Sequence, residues 1–163
     1  MRLHVRDYLT FANELADTAR AVLAEHGQRD LGTSVKADKS LVTQLDVLIE
    51  THLREKIAAR FPEHGIIGEE HDNINPGSSH VWVLDPIDGT AHFVAGLPTF
   101  GTLIALTVDG RSIVGIIDAA ATQPRWQGAL GYPSTCNGRT ITTRACAPTG
   151  TAPCRPRFAR SMM

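Results

Sequence analysis

Apolar positions in the first sixty residues recur at helical spacing. Across residues 5–26, "VRDYLTFANELADTARAVLAEH", Leu9, Ala12, Leu15, Ala16, Ala19, Val22 and Leu23 form one stripe, and Gly27 supplies a stop. A polar loop, "GQRDLGTSVKADKS", follows. The stripe then resumes through Leu45, Ile49, Leu53 and Ile57, which predicts a second helix from Thr43 to Arg60, ending before Phe61-Pro62. Beyond it the period changes. "GIIGEE" predicts a short strand emptying into two glutamates, and "HDNINPGSSH" has the composition of a loop. "VWVL", "GTLIALTV" and "SIVGIID" predict three strands, the last two joined through Asp109-Gly110, a pair typical of tight hairpins. "PRWQGAL" and "GRTITT" predict further, shorter strands. Two helices followed by antiparallel strands give an α+β class, with the helices packed on the sheet.

Composition narrows the setting. The chain has 163 residues, 42% apolar and 20% charged, which suits one ordinary globular domain. A formal net charge of −1 supplies no general pull towards nucleic acid or an anionic membrane. No apolar run approaches the roughly 20 residues of a membrane span. The opening "MRLHVRDYLTFANEL" has acids in its first turns and no continuous apolar core of a signal peptide, so a cytoplasmic location is expected. Cys136, Cys146 and Cys154 are odd in number and unevenly spaced, and read as free thiols. After Asp118 there is no Asp or Glu, while six arginines occur. The expected organisation is therefore one α+β unit over residues 1–143 and a disordered basic tail over 144–163. That tail lacks the interleaved aromatics that would favour nucleic-acid binding.

Chemistry concentrates in the acids. Asp46 falls in the first turn of the second predicted helix; Glu69 and Glu70 end "IIG"; Asp85 and Asp88 follow "VWVL". Singly, each has an ordinary reading: a helix-start charge, a solvated pair, turn caps. Jointly, carboxylates at strand ends and a helix start can converge on one point. Oxygen donors of this kind suit Mg²⁺ or Mn²⁺ and suit zinc poorly. Pro86 is expected to stiffen a turn after Asp85, leaving the Ile87 carbonyl free to point with the side chains. Gly89 and Thr90 then offer N–H groups and a hydroxyl to an anion, with phosphate the obvious guest. A haloacid-dehalogenase-type phosphatase would space its aspartates two apart; here Asp-Pro-Ile-Asp is one residue longer.

"GEE" followed by "WVLDPIDGTAHFVAGLPTFGTLIAL" resembles the inositol monophosphatase superfamily, and "LVTQLD" is similar to its Val-Thr-x-x-Asp segment. "GLPTFGTLIALTVDGRSIVGIID" is closer to the histidinol-phosphate phosphatase branch. The resemblance runs from about residue 8 to about 143 and is expected to stop there. It implies the first half of the family's layered α/β sandwich. It also implies Mg²⁺-dependent hydrolysis of a small phosphate monoester, histidinol phosphate first and inositol 1-phosphate second, with two or three ions in the complete site. Residue by residue, it makes Glu69, Asp85, Asp88 and the Ile87 carbonyl metal ligands and sets Asp46 beside the site. It has Thr90 and Glu69 orient the attacking water, and the Gly89 and Thr90 amides hold the phosphate. The family usually has Asn, or a short Arg-containing variant, around the position where this chain has Ala91-His92, and His92 is expected to be partly exposed rather than a substrate contact. The family's later Trp-Asp motif has no counterpart here, since neither Trp82 nor Trp126 precedes an Asp. Impaired activity is the expectation, and the non-enzymatic rival is an inactive fragment serving in binding or as a homodimer. No nucleic-acid or membrane partner is expected.

Overall fold

The computed structural model describes residues 4–26, 34–35 and 41–143. The expectations for Gly27, the loop after it, the 144–163 tail, Cys146 and Cys154 lie outside the described residues. Helix α1 spans Val5–His26, and the predicted second helix is α2, Gln44–Arg60. A small antiparallel pair, β1 (Ser34–Val35) and β2 (Leu41–Val42), precedes α2. The main sheet has seven strands in the order β3 (Gly65–Ile67), β4 (His80–Asp88), β5 (Gly101–Val108), β6 (Arg111–Asp118), β7 (Arg125–Ala129), β8 (Thr135–Cys136) and β9 (Arg139–Thr140). A five-residue helix α3, Thr90–Val94, sits between β4 and β5.

The class is α+β, as expected, but the sheet is mixed. β3 pairs parallel with β4, Gly65↔Val81 to Ile67↔Val83, while the remaining pairs are antiparallel. The β5–β6 hairpin turns through Asp109 (φ 49°) and Gly110 (φ 76°), the two left-handed residues such a turn needs. Pro86 lies inside β4 rather than in a turn after it. The ladder to β5 shifts register between Asp85 and Asp88, which is where a residue without an N–H can sit. The Pro86 carbonyl still accepts from Thr102 Oγ1 at 2.8 Å.

Helix α2 begins with a capping box. Thr43 accepts from the Leu45 and Asp46 amides, and the Asp46 carboxylate returns to the Thr43 amide. The striped faces of α1 and α2 bury Leu15, Ala16, Ile49 and Leu53 against Trp82, Leu84, Ile104, Leu106 and Ile116 of the sheet. Trp82 has no exposed surface and packs edge-on to Phe11, while its Nε1 donates to His64 Nδ1 at 3.1 Å. His64 is stacked between Phe61 and His80; burial, then the neighbouring His80, lowers its pKa to about 4. Asp118, 1% exposed, ties the layers together. It accepts from Arg20 of α1 at 2.7 and 2.8 Å and from Arg125 of β7 at 2.7 Å.

The other sheet face is open. Asp85, Leu103, Ile117 and Trp126 stand opposite one another across four strands. Ile117 is 51% exposed and Trp126 37%. A groove of about 900 Å³ runs over this face, and among the described residues Asp85 is the one charged residue in its lining.

Among the described residues no helix is long and apolar enough to cross a membrane.

Candidate active site

Parallel pairing of β3 and β4 builds the site. Both strands run the same way, so their acidic ends emerge at one edge; antiparallel pairing would have parted them. Continuing the Ile67↔Val83 register by two residues sets Glu69 beside Asp85. Their side chains are hydrogen-bonded. Asp88 follows at the end of β4, beside Gly101 of β5.

Asp85 carries the strongest electrostatic signature. Burial, then the charges of Glu69 and Asp88, the hydrogen bond with Glu69 and the charge of Asp46 push its carboxyl from 3.8 up to about 7. Mutual repulsion contributes, but lost hydration is the larger cause. Its Oδ1 is buried without a hydrogen-bond partner. A buried carboxylate oxygen left unpaired costs free energy, and a cation is the partner best suited to several neighbouring acids. The donor set of carboxylates and a nearby backbone carbonyl therefore fits a hard divalent ion. Among the described residues, no three His, Cys, Asp or Glu side chains stand as a ready-formed metal cluster. Glu69 and Asp88 are exposed at the rim.

Asp46 is 1% exposed and its two oxygens serve different ends. Oδ2 accepts from the Thr43 amide and hydroxyl, while Oδ1 accepts from Thr90 Oγ1 at 3.1 Å. The helix-cap reading and the site reading of Asp46 thus both describe the same carboxylate. Thr90 Oγ1 also lies 3.0 Å from the Ile87 carbonyl, so this hydroxyl joins Asp46 to the Asp-Pro-Ile-Asp segment. Gly89 caps α3 at φ 85°, a left-handed conformation, and a Cβ there would lie 3.1 Å from the Thr99 carbonyl. His92 is exposed, and its Nδ1 lies 3.0 Å from the Thr99 carbonyl.

Sequence reasoning passed over Glu50 and Arg54. Both are buried, at 0% and 8% exposure, one and two helical steps of four beyond Asp46 on α2. Glu50 accepts from the amides of Glu69, Glu70 and His71, the loop that carries the first acidic pair. The i, i+4, i+8 spacing of Asp46, Glu50 and Arg54 was the available signal, since charged residues rarely keep to a helix's inner face without partners.

Residues 4–161 match the inositol monophosphatase family, which carries the resemblance past residue 143, where it was expected to stop. The chain is 36% identical to a histidinol-phosphatase of Chlorobaculum parvum, over 85% of this chain and 54% of that protein. It is 38% identical to a histidinol-phosphatase of Mycobacterium tuberculosis, over 77% of this chain and 48% of that one. An inositol monophosphatase structure from Zymomonas mobilis superposes with a TM-score of 0.73 and 37% identity, covering 90% of this chain and 56% of that one. The chain thus spans about half the length of the relatives it matches. By that family-wide match, and with its acids gathered where β3 and β4 end, the chain belongs to the inositol monophosphatase family.

Proposed function

We propose that the site is the metal-binding half of a Mg²⁺-dependent phosphomonoesterase, with histidinol phosphate the first-choice substrate and inositol 1-phosphate the alternative. The observation that carries it is Asp85, its carboxyl raised to about 7 and one oxygen orphaned beside Glu69 and Asp88. Glu69, Asp85, Asp88 and the Ile87 carbonyl would hold the ion. Bound Mg²⁺ supplies positive charge that acidifies water and offsets charge on the phosphoryl and leaving oxygens. Glu69 and the Thr90 hydroxyl would orient the attacking water, and Glu69 would take its proton. Asp46 keeps the Thr90 hydroxyl in place, and the Gly89 and Thr90 amides face the phosphate oxygens. The histidinol phosphate preference rests on the similarity to two histidinol-phosphatases.

The matched half accounts for only part of each relative, so groups elsewhere in those chains also have a share in positioning substrate. Misplacement of a reacting group by about 1 Å costs ~100-fold. The 163-residue chain by itself is therefore expected to release phosphate about 100-fold or more slowly than a complete histidinol-phosphatase. Fusion to the unmatched half of the Chlorobaculum parvum protein should raise that rate. Absence of Mg²⁺-dependent release from either ester, in chain and fusion alike, would contradict the proposal.

A second reading is favoured by the open sheet face. Apolar patches of this breadth are seldom left bare on monomers. Because its lining holds no charge but Asp85, two copies could pair face to face while burying little charge. On this reading the chain is a self-associating binding fragment. Sedimentation at ~50 µM should then show a dimer that Ile117→Asp converts to monomer. A monomeric wild-type chain at that concentration excludes this reading.

A further inference from the structure

We propose that Glu50, paired with Arg54, is a positioning residue that sets the backbone of Glu69 and so the reach of its carboxylate into the acidic site. This rests on the metal reading above. Strand β3 ends at Ile67, where its register with β4 stops at Val83. Beyond it Glu50 supplies the acceptor. Its Oε2 takes the amides of Glu69 at 2.9 Å and Glu70 at 2.8 Å; its Oε1 takes the amide of His71 at 3.2 Å. Arg54 Nε balances the charge at 2.7 Å from Oε1. The same guanidinium donates to the carbonyls of His71 at 3.1 Å and Asp72 at 3.0 Å. Three successive amides and two carbonyls of one loop are thus held by a single buried ion pair on α2.

The fit leaves no slack. A Cβ at Gly68 would lie 2.1 Å from Glu50 Oε1 and 2.7 Å from Arg54 Nη2, so the glycine before the two glutamates is what lets the loop reach the pair. Helix α2 also holds the opposite side of the site, through Asp46 and Thr90. One rigid helix therefore sets both acidic segments relative to each other. A carboxylate that must come within a few tenths of an ångström of an ion depends on such support, and losing a residue that orients a ligand costs about 10–100-fold in metal affinity. A purely structural clamp would instead affect stability alone.

The test is Mn²⁺ binding followed by electron paramagnetic resonance at 15 °C, on chains shown to be folded by circular dichroism. Glu50→Asp keeps the charge and withdraws the carboxylate by one methylene; Ile57→Val lowers stability from the same helix without touching the loop. The expected result is a 10–100-fold weaker Mn²⁺ affinity in Glu50→Asp and an unchanged one in Ile57→Val. Equal affinity in Glu50→Asp and wild type, or equal losses in both variants, overturns the inference. Should the wild-type chain bind no Mn²⁺, the metal reading itself fails. Amide exchange then decides the clamp in wild type, whether or not Glu50→Asp folds. Protection at residues 69–71 at least 100-fold above that at the exposed Gly77 supports it, and equal exchange overturns it.

Discussion

Asp85→Asn is expected to stabilise the metal-free chain at pH 8 by on the order of 2 kcal/mol, a rise of roughly 4–8 °C in Tm. The native carboxyl titrates near 7, against 3.8 for the ordinary group, chiefly because it is buried and secondly because Glu69 and Asp88 repel its charge. For a carboxyl raised in this way, the stabilising contribution is fully present below pH 3.8. It is lost as pH climbs through about 7. Above that, the folded wild type carries an ionised group in a place that disfavours it. The full shift would convert to about 4 kcal/mol, and water at the partly open rim reduces that by around half. Asparagine has no charge to bury, so the gap between variant and wild type should widen from pH 4 to pH 7 and then level. Saturating Mg²⁺ should reverse the order, raising the wild-type Tm while leaving the variant unmoved. Thermal melts across pH, with and without Mg²⁺, check this. A metal-free variant less stable than wild type at pH 8 would show that Asp85 is not a strained charge.

The residues that announced themselves in the sequence were those whose environment follows from spacing alone. The stripes of α1 and α2 pack on each other and on the sheet as one continuous apolar layer, so period 3.6 sufficed. β5 was legible because its apolar run stops at the Asp109-Gly110 turn. Direction was not legible for β3. Three residues followed by a polar loop do not say which way the next strand runs, and it is the parallel choice that unites Glu69 with Asp85. α3 escaped because five residues are too few to show a period. The proline inside β4 argued for a turn, whereas a register shift absorbed its missing donor.

Part of the site was legible for a different reason. Asp88 and Glu69 follow apolar strands, so their placement where β4 and β3 end could be anticipated, whereas Asp85, expected to end its strand, lies inside β4. Glu50, Arg54 and Asp118 could not be placed in the same way. The i, i+4, i+8 spacing marks Glu50 and Arg54 as one helix face, but that pattern also suits a solvated face, and the tertiary partners of all three residues are what show them buried. Arg20 reaches Asp118 across 98 positions of sequence, a pairing that local periodicity does not encode.

The largest effect expected of a single substitution is loss of metal binding in Asp88→Asn. Asp88 is exposed at the rim, so replacing it disturbs no packing and leaves stability nearly unchanged. It nonetheless removes one of the few negative charges available to the ion. Replacing a charged donor by a neutral amide in a site with so few carboxylates should weaken Mg²⁺ by ~100-fold or more, beyond detection for a chain whose affinity is already low. The direct measurement is a calorimetric titration of Mg²⁺ into the 163-residue chain at pH 7.5, beside Asp88→Asn. Saturable binding by wild type that disappears in the folded variant is the expected result. No binding by wild type, or equal binding by both, would contradict the metal-centred account of this site.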